Sequence, residues 1–215
     1  MRVLNILSSR VTWLFETVEL NPRGLSLHPV YAGLKNKYEF STPKSREEVN
    51  NADGGVKFLN GSFRPNGGAS LSVELTVYSD GLVALTNAET SVTEAFLNDM
   101  IGFVQKQYEL HFEPAIVRQR RYGSSLLIES ERGLSRVSEL LSGISEALSD
   151  ETGSAYEATG ITLGCDASLP SNGLAPFVIE RRTDIPFSAN RFFSSAPVTT
   201  EAHKNLLKRL ESALA

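Results

Sequence analysis

The chain has almost none of the residues that build redox, metal or disulfide chemistry: one cysteine, three histidines, two methionines and one tryptophan in 215 residues. A lone Cys165 cannot close an internal disulfide, so nothing points to an oxidising compartment. A transition-metal site would have to be assembled from scattered pieces. Long apolar runs are missing too. The opening MRVLNILSSRVTWLF is interrupted at Asn5, Ser8, Ser9 and Arg10, which leaves segments too short for a signal core or a spanning helix. Neither export nor membrane insertion is expected, and the location predicted is cytoplasmic. Positive charge is scarce as well: 21 Lys and Arg stand against 25 Asp and Glu, a formal net charge of −4. No diffuse basic field attracts nucleic acid or anionic membrane, so any anion site must be local.

Signature motifs are absent. There is no G-x-x-x-x-G-K phosphate loop, no G-x-G-x-x-G, no G-x-S-x-G, no H-E-x-x-H and no C-x-x-C pair. That disfavours the common nucleotide hydrolases, serine hydrolases and structural zinc modules. His111 and Glu113 would share a face on a strand, as metal ligands need, but a polar rim after a helix has the same pattern without a metal. Cys165 would need His203 beside it to act as a nucleophile. At the end of an apolar strand it reads instead as a small buried hydrophobe. The expectation is a chain with no cofactor, no metal site and no assigned catalytic residue, leaning away from enzymes.

What is present is a hydrophobic share of 41% and a charged share of 21%, ordinary for a globular protein that buries a core without staples. No fixed-period repeat or low-complexity tract appears, and one domain over residues 1–215 is expected. Arg10 to Leu20 (RVTWLFETVEL) predicts a strand closed by the turn cluster Asn21-Pro22-Arg23-Gly24. Val30, Tyr31, Leu34 and Tyr38 recur at helical spacing behind Pro29. Ser45 and Glu48 are spaced as a capping box for a brief helix. Val56 to Phe63 and Ala69 to Ser79 predict strands. Asp80-Gly81 predicts a hairpin turn that sets Val77 opposite Ala84 and Tyr78 opposite Val83.

A helix then starts with Ser91 as N-cap and Glu94 reaching back, its face built from Phe96, Leu97, Met100, Ile101, Val104 and Tyr108. Ala115 to Ser130 predicts one or two strands interrupted near Gly123. Leu134, Val137, Leu141, Ile144 and Leu148 mark a second amphipathic helix whose serine and glutamate face points to solvent. Tyr156 to Cys165 and Phe177 to Thr183 predict strands, and Asp184 to Pro197 a proline-bounded connector. Thr199 or Thr200 caps a last helix with Leu206, Leu207, Leu210 and Leu214 as its seam. This order predicts an α+β fold: a largely antiparallel sheet with about three main amphipathic helices packed on it. The hairpin plus helix of residues 69–108 is echoed by the strands plus helix of residues 156–214.

The candidate binding residues are arginines and the aromatic groups beside them. In VRQRRY, Val117 to Tyr122, strand alternation sends Arg118, Arg120 and Tyr122 to one face and Gln119 and Arg121 to the other. Arg181 and Arg182 separate in the same way, with Arg181 continuing the apolar face of Phe177 and Ile179. Ion pairing with Glu109, Glu113, Glu129, Glu180 or Asp184 is one fate for these groups. If the two arginine strands lie near each other, the guanidiniums gather at the amino terminus of the last helix, whose free N–H groups favour an anion. Phe187, Phe192 and Phe193 would then offer stacking rings, although phenylalanines between Pro186 and Pro197 serve equally as core plugs or interface anchors. His203, in the first turn of that helix, is expected to stay neutral and to hydrogen-bond within the packing.

Two function classes follow. The leading one is a noncatalytic protein-interaction or assembly protein, such as an oligomer subunit, adaptor or partner-neutralising factor. The alternative is an anion-binding module for nucleic acid or nucleotide, built on Arg118, Arg120, Arg121, Arg181, Arg182, Arg191, Phe192, Phe193 and His203. Another protein or a second copy is the first expected partner, nucleic acid or nucleotide the second, and a membrane is not expected.

Overall fold

The computed structural model describes residues 1–41, 55–166, 168 and 173–214, so the Ser45–Glu48 capping box lies outside the described residues. Eight β-strands and five α-helices are found among them, and the fold is α+β with antiparallel pairing throughout. No helix among the described residues is long and apolar enough to cross a membrane. The chain divides into two compact units, Ser8–Gly123 and Met1–Leu7 with Ser124–Ala215.

The first unit, residues 8–123, takes strand β1 (Arg2–Leu14) from Ser8 onward, then α1 (His28–Lys37), β2 (Val56–Phe63), β3 (Leu71–Tyr78), β4 (Gly81–Thr86) and α2 (Thr90–Tyr108). Its strand order is β2-β3-β4-β1. Period-two alternation buries Val11 and Trp13 on β1, Val73 and Leu75 on β3, and Leu82 and Ala84 on β4. Against them lie Val30 and Leu34 of α1 and Phe96, Leu97, Met100, Ile101 and Val104 of α2, in one core. Each large apolar side chain so buried contributes about 1.5–3 kcal/mol, which is why the two periodicities find each other.

Three local expectations change here. β1 ends at Leu14 rather than continuing to Leu20, because the Phe15 and Thr17 N–H groups turn onto the carbonyls of Asp80 and Ser79. Thr17–Leu20 then curls into a 3-10 turn that delivers Leu20 to the core. The hairpin pairs Val77 with Leu82 and Tyr78 with Gly81, so Ser79 and Asp80 form the loop and Val77 does not face Ala84. A two-residue slip leaves every side chain on its own face, so the core is indifferent to it. Gly81 decides the register: at φ +155 its place leaves only 2.2 Å between an added Cβ and the Trp13 carbonyl oxygen. Finally, α2 is preceded by Glu89 at the N-cap, without a side-chain cap. Ser91 does not cap it, and Glu94 instead accepts hydrogen bonds from Arg120 and Tyr122.

The second unit uses residues 1–7 of β1 and the chain from Ser124. Its elements are β5 (Gln119–Glu129), α3 (Ser135–Leu140), α4 (Ser142–Thr152), β6 (Gly160–Leu163), β7 (Phe177–Arg181), β8 (Arg191–Ala196) and α5 (Thr200–Ala213). The order β6-β7-β8-β5 matches β2-β3-β4-β1: strand, helix, three-stranded meander, helix in both units. The equivalence extends to residues. Ser9 stands opposite Thr86 on the first and fourth strands of one unit, and Ser124 opposite Ala196 in the other. Thr93 and His203 occupy the same place in the helix that follows, three residues beyond the buried Thr90 and Thr200 that begin α2 and α5.

β5 is continuous through Gly123, where an interruption was expected. The core of this unit is Leu126, Ile128, Leu134, Ile179, Phe192, Leu207 and Leu214. Leu206, expected in the α5 seam, is 38% exposed. The stretch 184–197 is not a plain connector: it contains β8, which pairs with both β5 and β7. Its sequence RFFSSA hides the strand, because the buried set Phe192, Ser194 and Ala196 is mostly small or polar. Cys165, expected to be buried, is exposed beyond the end of β6.

Candidate interaction surface

The sequence-predicted arginines fall into two groups, Arg118, Arg120 and Arg121 in the first unit and Arg181, Arg182 and Arg191 in the second. β8 lies between β5 and β7, so the two arginine strands are not neighbours. Arg118 pairs with Glu19 at 3.0 Å and Glu16 at 3.5 Å. Arg120 pairs with Glu94 at 3.0 Å and lies 5.0 Å from the Trp13 ring. Arg121 donates to Gln119, while its own buried Nε has no partner among the described residues.

Arg181 is 6% exposed and is held inside its unit. Nε donates to the Ala158 carbonyl at 3.1 Å and Nη1 to that of Phe187 at 2.7 Å. Glu157 stands 3.5 Å away, and the guanidinium sits within 4.8 Å and 5.3 Å of the Phe187 and Phe192 rings. It caps the core edge, one of the two fates expected for an arginine on an apolar face. Arg182 forms a bidentate pair with Asp184, and its hydrogen bonds hold that carboxyl below the usual range. Arg191 shares Glu129 with Arg2, and the Arg2 hydrogen bond is the main reason the Glu129 carboxyl is also held low. Phe192 is fully buried, whereas Phe193, on the other side of β8, is 43% exposed with Arg182 5.7 Å from its ring.

His203 is 0% exposed and has both ring nitrogens occupied: Nδ1 lies 2.7 Å from Ser124 Oγ and Nε2 2.8 Å from Ser194 Oγ. The Ser194 hydroxyl donates to the Val178 carbonyl, so its oxygen can only accept from the ring. Nε2 therefore carries the proton, and Nδ1 accepts from Ser124. Burial pushes the imidazole pKa down to about 4, keeping it neutral as expected. It is a packing group, and no ring nitrogen is left for Cys165. In the first unit Thr93 plays the equivalent part, hydrogen-bonding Ser9 and Thr86.

The surface that sequence reasoning missed is on α3 and α4. Leu134 and Val137 do pack onto the core. Beyond them the expected orientation is reversed: Leu140 is 83% exposed, Leu141 42%, Ile144 63% and Leu148 42%. Ser138, Ser145 and Ser149 are half-buried, while Ser142 is exposed. Ser138 Oγ accepts from the Ala158 N–H at 3.3 Å, and Ser149 Oγ accepts from that of Tyr156 at 3.2 Å while donating to the Ser145 carbonyl. Ser138, Ser142, Ser145 and Ser149 recur at four, three and four residues, a helical stripe as regular as the leucine one. That second stripe is the available signal, and it is masked because serine on a helix is ordinarily a solvent-facing residue. A helix has one inward face, and here hydrogen bonds to the chain leading into β6 claim it for the hydroxyls. Glu139, Glu146, Asp150 and Glu151 on the same segment make no ion pair among the described residues.

Among the described residues no group of three or more His, Cys, Asp or Glu is arranged to hold a metal ion, and His111 and Glu113 form only an exposed pair at 3.3 Å. The chain matches no family model and no curated protein. Among solved structures it is similar to Methanococcus jannaschii TBP, with a TM-score of 0.47 and 13% identity over 100% of this chain and 98% of that one.

Proposed function

We propose that this chain is a noncatalytic protein-interaction protein whose contact surface is the outward apolar face of α3 and α4. The observation that supports it is the reversed helix: Leu140, Leu141, Ile144 and Leu148 face outward while Ser138 and Ser149 hydrogen-bond the chain leading into β6. Scattered surface leucines are ordinary, but several on one short helical segment form a patch of the kind that marks interaction sites. Covering them would add part of the roughly 1.5–3 kcal/mol that full burial of such a side chain contributes, in proportion to the area each still exposes. A photo-crosslinking residue placed at position 144 in the expressing cell is expected to give a discrete higher-mass adduct. One placed at the exposed Glu201 of α5 is expected to give none. No adduct at 144, or equal adducts at both positions, overturns the reading.

A second reading, an anion-binding module for nucleic acid, is favoured by Phe193. Its ring is half open, carries Arg182 against it and shares a strand face with Arg191. An exposed ring with a guanidinium against it is a surface on which a base can stack.

A further inference from the structure

We propose that the α3–α4 face receives a basic amphipathic helix of a partner protein; this rests on the interaction reading above and names the chemistry of the occupant. In the first unit α1 lies between first and second strands as α3 and α4 do in the second, but its apolar face is turned inward, with Val30 and Leu34 buried. It packs beside α2 with Lys37 Nζ 2.7 Å from Asp99 Oδ2 and 4.7 Å from the Phe103 ring. Within that unit, a lysine set on a carboxylate edges the apolar helix-to-helix contact.

In the second unit α3 and α4 instead turn an apolar stripe outward, and carboxylates follow it along α4. At 100° per residue Glu151 continues the line of Ile144 and Leu148, seven and three residues on, while Asp150 flanks it. Both lie in the last turn of α4, which holds no basic residue, so two carboxylates stand at the negative end of the helix dipole. This arrangement disfavours the isolated helix and is relieved by a cation from outside. A second copy of α4 would bring further carboxylates to the same place, and an acidic or neutral partner would leave them uncompensated. Lysines or arginines one turn apart on a leucine-faced helix satisfy both halves of the surface.

The test is fluorescence anisotropy with two labelled helical peptides, one with Leu and Lys faces and one with Leu and Glu faces, alongside light scattering of the protein alone. The Lys peptide is expected to bind about tenfold or more tightly than the Glu peptide, with affinity falling as salt is raised. Asp150→Lys with Glu151→Lys is expected to remove that preference, and Ile144→Asp to weaken binding of either peptide. Both variants alter exposed positions, and circular dichroism confirms that they stay folded. Equal or tighter binding of the Glu peptide, still lost in Ile144→Asp, overturns the basic partner while leaving the interaction surface standing. So does a dimer that Ile144→Asp dissociates, since the occupant is then a second copy. Peptide binding untouched by Ile144→Asp, or no binding of either peptide, overturns both.

Discussion

At the scale of single residues, the most constrained groups are polar ones inside the second unit. His203 was legible in advance as a neutral packing histidine, but not its partners, since Ser124 and Ser194 lie on strands whose pairing only the fold supplies. Its pKa falls from 6.5 to about 4 on folding. The unfolded chain therefore takes up a proton between those values that the folded chain does not. Stability is full above pH about 6.5, decreases as pH falls through this window, and levels off below about 4. The loss amounts to about 3 kcal/mol from this group. Denaturant midpoints measured from pH 4 to 8 should show the decline in the wild type and not in His203→Gln, which keeps a donor and an acceptor but does not titrate there. A matching decline in the variant would place the acid sensitivity elsewhere. Arg181 makes a parallel case. Lysine cannot serve the Ala158 and Phe187 carbonyls from one planar group, so Arg181→Lys is expected to destabilise by about 2–3 kcal/mol. Arg182→Lys, with an exposed pair to Asp184, should change stability by less than about 1 kcal/mol in the same denaturation experiment.

At the scale of elements, strand and helix periodicities exposed most of the fold and misassigned it where two features competed. The β3–β4 hairpin was foreseen from Asp80-Gly81, yet its register moves by two because Gly81 is needed beside the Trp13 carbonyl and not in the loop. Gly81→Ala is therefore expected to cost about 2–4 kcal/mol, from backbone strain and displacement of β1, seen as a lower thermal midpoint. A change below about 0.5 kcal/mol would mean that the turn tolerates a side chain there. The α3–α4 segment failed for the opposite reason. Its leucine and serine stripes are equally regular, and hydrogen bonds to Tyr156 and Ala158, beyond the helices, decide which one turns inward. The consequence separates the two orientations: Ile144→Asp should leave stability within about 0.5 kcal/mol, while Leu207→Ala, fully buried, should cost about 2–5 kcal/mol. Global unfolding of Ile144→Asp would restore the inward leucine seam.

At the scale of the whole molecule, the α+β class was legible from element order, and the echo between residues 69–108 and 156–214 was part of a twofold use of one topology whose full extent was not. What repeats is a burial pattern filled with different side chains, Trp13 for Ile128, Thr86 for Ala196 and Thr93 for His203, so no fixed period shows in the sequence. The same distinction between pattern and chemistry bears on nucleic-acid binding. The chain carries a net charge of −4, and Arg118, Arg120, Arg181, Arg182 and Arg191 each have a carboxylate within ion-pair distance. Binding a phosphate backbone would mean giving up those partners, without a surplus of positive field to compensate. A short labelled oligonucleotide titrated at low and moderate salt is therefore expected to bind no tighter than about 100 µM, the weak end of nonspecific association. Phe193→Ala should leave that value unchanged. Micromolar binding that weakens steeply with salt, and is lost in both Arg191→Glu and Phe193→Ala, would instead make Phe193 with Arg182 and Arg191 the functional site and reduce the α3–α4 face to a secondary contact.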